Sequence, residues 1–121
     1  MIETSLIEFM QTNLPTYDYT YGKLAQDTVF TETPIIQLIK SPSLNSDTTP
    51  TSLGNFDISV RHEYIDVAQQ AADDIIRLFQ LYSGTAGDYQ IWVVNINEAG
   101  TVYEEEDIVN VLLLLSIKYV R

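Results

Sequence analysis

Ile2, Leu6, Phe9 and Met10 recur at helical spacing, so the pattern predicts a short amphipathic helix from Ile2 to Asn13. Glu3 and Glu8 fall on other faces, and Glu3 lies near the positive end of the helix dipole. Pro15 disfavours helical backbone at Leu14 and closes the element. The period then drops to two. Tyr17, Tyr19 and Tyr21 alternate with polar residues, the signature of a strand with an aromatic face. A second extended segment, IIQLIKS, follows Pro34. From Ser41 to Asn55 the chain is rich in Ser, Thr, Pro, Asn and Asp and has no apolar period. That composition predicts a long mobile loop, of a length that is uncommon in compact domains and often functional.

The second half is more regular. Phe56, Ile58 and Val60 alternate with Asp57, Ser59, Arg61 and Glu63, as in a half-buried strand. From Ile65 to Tyr82 the period becomes helical. Ala68, Ala72, Ile75, Ile76, Phe79 and Tyr82 make one stripe, and Asp66, Gln69, Gln70, Asp73, Arg77 and Gln80 the opposite one. Asp73 and Arg77 stand at i,i+4 and are placed to pair. The glycines of YSGTAGD are the expected stop. Two strands follow, Tyr89–Ile96 and one running from Asp107 or Ile108 to Val120. Val109, Val111, Leu113, Leu115, Ile117 and Tyr119 share one face of the last strand. Its β-branched flanks favour a strand over a helix. The other face mixes Ile108, Leu112 and Leu114 with Asn110, Ser116 and Lys118, and those apolar residues need a cover that a subunit partner would supply.

The order is helix, two strands, loop, strand, helix, two strands. It predicts an α+β fold: a mixed, mostly antiparallel sheet covered by a short N-terminal helix and one longer amphipathic helix. Residues 1–121 read as a single domain without internal repeats. A chain of 121 residues is long enough to bury about two thirds of its unfolded surface.

Charge narrows the partners. Seventeen acidic against six basic residues leave a net charge of −11, and the basic residues are scattered. Phosphate backbones are bound by clustered Lys and Arg that release counterions, so a nucleic-acid reader is not expected. The chain has no cysteine, which excludes disulfides and thiolate metal sites. MIETSLIEFM carries acids where a signal peptide needs positive charge, and the longest apolar run, Val111–Leu115, is far short of a membrane span. The expectation is a chain folded in the cytosol, without a membrane partner.

Candidate chemistry is sparse. His62 is the only histidine and falls where strand gives way to helix. With no cysteine and no G-x-S-x-G elbow, it reads as an ordinary strand-end residue. Glu104, Glu105, Glu106 and Asp107 are the densest charge. Paired carboxylates can act as acid and base or hold a hard cation, but consecutive acids more commonly form a solvated turn. The segment Asn95–Glu106 overlays a calcium-loop template, with Asn95, Asn97 and Ala99 at the first, third and fifth places and Gly100 at the sixth. Ala99 offers no side-chain oxygen, Asn95 is neutral, and the preceding IWVV is strand-like. A hairpin turning at Gly100 is therefore expected. No glycine-rich phosphate loop is present. Tyr17, Tyr19, Tyr21, Tyr89, Trp92 and Tyr103 suit a core or a protein interface. No catalytic, cofactor or metal site is expected, and no enzyme activity.

The stretch FDISVRHEYIDVAQQAADDIIRLF resembles the tail terminator, or tail-completion, proteins of long-tailed bacteriophages, often labelled minor capsid proteins. Ile58, Val60, Arg61, Asp66, Ala68, Ala72, Ile75 and Phe79 carry the likeness. The ending is similar too, with IWVVNI, an acidic glycine-containing turn and a terminal strand. The turn departs from the family in lacking a basic residue. The resemblance implies a structural virion protein, assembled in the host cytoplasm. It implies a ring of copies, usually a hexamer, capping the tail tube, contacting tail tube protein and joining the head connector. DNA passes through such a ring without specific binding, and Glu104, Glu105, Glu106 and Asp107 are then candidates for its inner or end surface. Another neck component, such as a head-completion or connector-adaptor protein, is the nearest alternative. A small cytosolic ion- or ligand-binding module is a further one.

Overall fold

The computed structural model describes residues 1–22, 33–40, 52–104 and 107–121. Helix α1 (Ile2–Asn13) is followed by strands β1 (Asp18–Tyr21), β2 (Ile35–Lys40) and β3 (Ser52–His62). Helix α2 (Ile65–Phe79) precedes β4 (Ser83–Ala86), β5 (Tyr89–Tyr103) and β6 (Val109–Val120). The six strands make one sheet in the order β1-β2-β3-β6-β5-β4. Only β1 and β2 run parallel; the other neighbouring pairs are antiparallel. The fold is α+β, as its sequence pattern implies.

The register explains which residues are buried. Val109, Val111, Leu113, Leu115 and Ile117 pair with His62, Val60, Ile58, Phe56 and Gly54, and paired residues point to the same side of a sheet. Ile36 and Leu38 extend the same apolar layer onto β2. Helix α2 lies on this face, seated on β3, β5 and β6, and contributes Ala68, Ala71, Ala72, Ile75 and Phe79 to the core. Its alanines bring the helix close to the sheet, where a larger stripe would hold it away. Helix α1 supplies Ile2, Leu6 and Met10 and touches β1, β2 and β4, so it reaches both edges of the curled sheet. The rings of Phe9 and Phe79 lie 5.5 Å apart and join the two helices.

Several expectations are corrected. Ser52–Asn55 do not belong to a loop: they pair with Ser116–Tyr119 and begin β3. The rest of the expected mobile loop, 41–51, lies outside the described residues. Helix α2 stops at Phe79, and Leu81 takes a φ of 58°, the left-handed position that glycine usually fills. The glycines expected to stop the helix serve β4 and its turn. Gly87 has a φ of 58°, and a Cβ there would meet the Ser5 hydroxyl at 2.5 Å, so the turn packs on α1 only with glycine. Arg77 pairs with Asp74 at 3.9 Å rather than with Asp73, which accepts from the Gln69 amide at 3.1 Å.

The hairpin does not turn at Gly100. Strand β5 continues to Tyr103, with register shifts at Val93/Asn95 and Glu98/Gly100. Gly100, at a φ of 153°, occupies the second of these bulges, a conformation that favours glycine. The calcium template fails for the same reason: Asn95 pairs with Ser116 and Asn97 with Leu114 in the sheet, so no loop wraps around a cation there. Glu106 lies outside the described residues.

Candidate functional site

Of the residues that the sequence marks as candidates, His62, Glu104 and Asp107 lie at one end of the sheet, where β3 and β5 end and β6 begins. The backbone N–H of Glu104 donates to the Ile108 carbonyl at 2.8 Å, closing the β5–β6 turn. The Glu104 carboxylate accepts from Arg61 Nε at 2.7 Å and from Nη2 at 3.5 Å. Arg61 Nη1 donates to Gln37 Oε1 at 2.5 Å, and Gln37 Nε2 donates to the Gly22 carbonyl. One guanidinium therefore ties β2, β3 and the β5–β6 turn together. Its planar fork suits two acceptors at once, which an ammonium does less well. Asp107 is exposed with a φ of 60°. Glu105 and Glu106 lie outside the described residues. Of the four acids, Glu104 is held and Asp107 faces solvent.

His62 is buried, and its Nδ1 accepts the Tyr64 backbone N–H at 3.0 Å. It shapes the step from β3 into α2. Among the described residues no group of three or more His, Asp or Glu side chains is gathered to hold a metal.

The sheet face away from the helices is more informative. Its buried members are polar or lie near β2: Ile35, Gln37, Ser59 and Asn110. Around them Ile39, Leu53, Trp92, Val102 and Leu114 are 39–46% exposed. Asn55 pairs with Ser116, and the Ser116 hydroxyl donates to Asn55 Oδ1 at 2.7 Å. Leu114 neighbours Asp57 on β3 and Asn97 on β5, and Leu112 beside it is half-buried. The face alternates apolar and polar side chains without a covering layer among the described residues. The rule that a sheet buries one face and wets the other accounts for the polar part, not for these aliphatic and aromatic groups.

Sequence reasoning did not anticipate a second cluster, on the helical side. The Tyr17 hydroxyl donates to Asp74 Oδ2 at 2.5 Å, and Gln70 Nε2 donates to Asp74 Oδ1 at 3.0 Å. The Tyr19 hydroxyl donates to the Leu14 carbonyl at 2.7 Å. The alternation of tyrosines predicts their common face; their partner on α2, 57 residues away, leaves no local mark. Burial first, then the bond to Asp74, pushes the Tyr17 pKa up to about 12. Burial, then the charges of Tyr17 and Asp74, raises Tyr19 as well. Both hydroxyls hold their protons more tightly folded than unfolded, so their stabilisation is complete below the ordinary value of 10.0. It is lost as pH rises through the folded values. Urea unfolding of the wild type is expected to show falling stability between about pH 10 and 12. Tyr17→Phe should flatten that decline; an identical slope in the variant would assign the loss elsewhere.

No family model matches the chain, and no curated protein does. A solved structure is similar over 98% of this chain and 89% of that chain, with a TM-score of 0.63 at 17% identity. At that identity the likeness establishes a shared fold and nothing further. No helix among the described residues is long and apolar enough to cross a membrane.

Proposed function

We propose that this chain is a structural virion protein, not an enzyme. It caps the tail tube of a long-tailed bacteriophage as a ring of copies and joins the tube to the head connector. The observation that carries the assembly part is the sheet face left without a covering layer among the described residues, where Ile39, Trp92, Val102 and Leu114 meet solvent. Exposed apolar patches rimmed by polar groups mark protein–protein contacts. The tail-specific part rests on the resemblance of Ile58–Phe79 to tail terminators. The residues that carry that resemblance contain no reactive constellation, and most of them have structural duties here. Ile58, Val60, Ala68, Ala72, Ile75 and Phe79 fill the core, and Arg61 anchors the acidic turn.

The deciding experiment is native mass measurement or sedimentation of the purified chain, alone and with tail tube protein. A ring that forms or persists on the tube supports the reading. Binding to the portal side without tube binding would move the protein to a head-completion or adaptor role.

DNA leaving the head must pass the ring without sticking, and negative charge suits that passage because cations would hold phosphates. Glu104, Glu105, Glu106 and Asp107 are assigned to the inner or end surface of the ring. Replacing all four with lysine is expected to slow DNA ejection, measured on assembled particles. Unchanged ejection and infectivity would remove the acids from that surface.

A further inference from the structure

The junction between β3 and α2 consists of Glu63, Tyr64, Ile65 and Asp66, all exposed. Tyr64 and Ile65 leave 58% and 47% of their surface in solvent. The junction is nevertheless held in shape. His62 accepts the Tyr64 N–H, the two rings lie 5.7 Å apart, and the Tyr64 carbonyl accepts from Ala68 at 3.1 Å in the first turn of α2. Two apolar side chains flanked by two carboxylates therefore project from one end of the sheet on a rigid support.

At the opposite end of β3 the chemistry is the converse. Leu53 pairs with Lys118, and Lys118 pairs with Trp92, so the three form a transverse row on the outer face. All three are exposed. Lys118 meets no carboxylate within ion-pair distance among the described residues. Nine residue steps of strand separate Leu53 from His62, roughly 30 Å, so the two surfaces cannot meet within one chain. Each offers apolar area, and each carries the sign the other lacks.

We propose that the Glu63–Asp66 junction of one copy docks on the Leu53–Lys118–Trp92 row of the next. Tyr64 and Ile65 meet the aromatic and aliphatic groups, and Glu63 faces Lys118. The proposal rests on the self-assembly reading above and specifies its contact. Complementary patches at opposite ends of a subunit make a heterologous interface, which repeats head to tail and closes into a ring when the rotation permits. The contact needs none of the acids of the β5–β6 turn.

Charge exchange tests it. Lys118→Glu and Glu63→Lys both change exposed side chains outside the core, and circular dichroism checks that each variant folds. Each variant is sedimented alone, as an equal mixture, and with tail tube protein. Either variant alone should assemble roughly tenfold less well, because like charges then face each other. The mixture should recover, since alternating copies pair the introduced carboxylate with the introduced ammonium and leave the other contacts native. Normal assembly by either folded variant, or no recovery in the mixture, would overturn the contact while leaving the ring reading intact. Variants that assemble normally but lose the tube would reassign the row to tube binding. A wild type that never self-associates, even with tube protein, would remove the contact and the ring reading together.

Discussion

Phe79→Ala is expected to cost about 3–5 kcal/mol of folding stability. Phe79 is fully buried at the end of α2, with its ring 5.5 Å from Phe9 of α1. Phe9 also lies 4.7 Å from Tyr82, so the aromatic trio fixes α1 against both α2 and the segment leading into β4. Truncation there leaves a cavity that the helices cannot both close, because α1 is also held against β1 and β2 at the far edge of the sheet. A domain of this size has about 5–15 kcal/mol in all, so the variant would be near the edge of folding at physiological temperature. Phe9→Ala removes a ring of the same size that is only partly buried, and should cost less, about 1–2 kcal/mol. Urea unfolding with an unchanged m-value measures both. Equal losses from the two substitutions would mean that Phe79 is not the keystone of the helix pair.

The parts of this fold that could be read from sequence are those whose burial repeats at a fixed period. Ile2–Asn13 is read to its true ends because its stripe, its dipole-facing Glu3 and Pro15 all agree. The terminal strand is legible too, since the six alternating apolar residues from Val109 to Tyr119 have β-branched flanks that favour a strand over the helix the leucine run alone would allow. The failures within the sheet share one physical cause: strand structure imposed by a partner. Ser83–Ala86 contains only small residues without a period, yet it is a strand because it pairs with Tyr89–Trp92. Ser52–Asn55 resemble a loop in composition, but the tail of the long β6 provides a template for them. Gly100 looks like a turn residue and is a bulge, because β6 offers pairing partners as far as Val109. Intrinsic preference in strands is weak against such context.

Legibility of the candidate site divides in the same way. The acidic run is visible as a run, and its position on a turn between two strands follows from its neighbours. That Glu104 is held while Asp107 is free depends on Arg61 and Gln37, which are 43 and 67 residues earlier in the chain. A signal was available: Arg61 shares the outer parity of β3 with Asp57 and Ser59, on a face with few other cations. What it reaches for is decided only once β2, β3 and β6 lie side by side.

Arg61 carries the second large prediction. Its side chain is 13% exposed and bonds to Glu104, whose side chain is 37% exposed. Arg61→Ala should leave Glu104 to water at little cost, because that carboxylate can rehydrate. The Gln37 amide oxygen cannot, since Gln37 is buried and its Nε2 already points to Gly22. An orphaned buried acceptor costs about 1–3 kcal/mol, and the lost packing of the guanidinium stem adds to it, so a total of about 2–3 kcal/mol is expected. Arg61→Lys should recover less than half, because a single ammonium cannot span both acceptors in the fork's geometry. Glu104→Gln in the wild type should cost well under 1 kcal/mol, as exposed ion pairs do. The same substitution in Arg61→Ala should cost almost nothing further. This ordering places the stabilising weight on the Arg61–Gln37 bond and the positional weight on Arg61–Glu104. Amide exchange at the β5–β6 turn separates the two: it should quicken in Glu104→Gln although global stability barely moves. Slow exchange there in both variants would show that the turn holds its shape without the guanidinium.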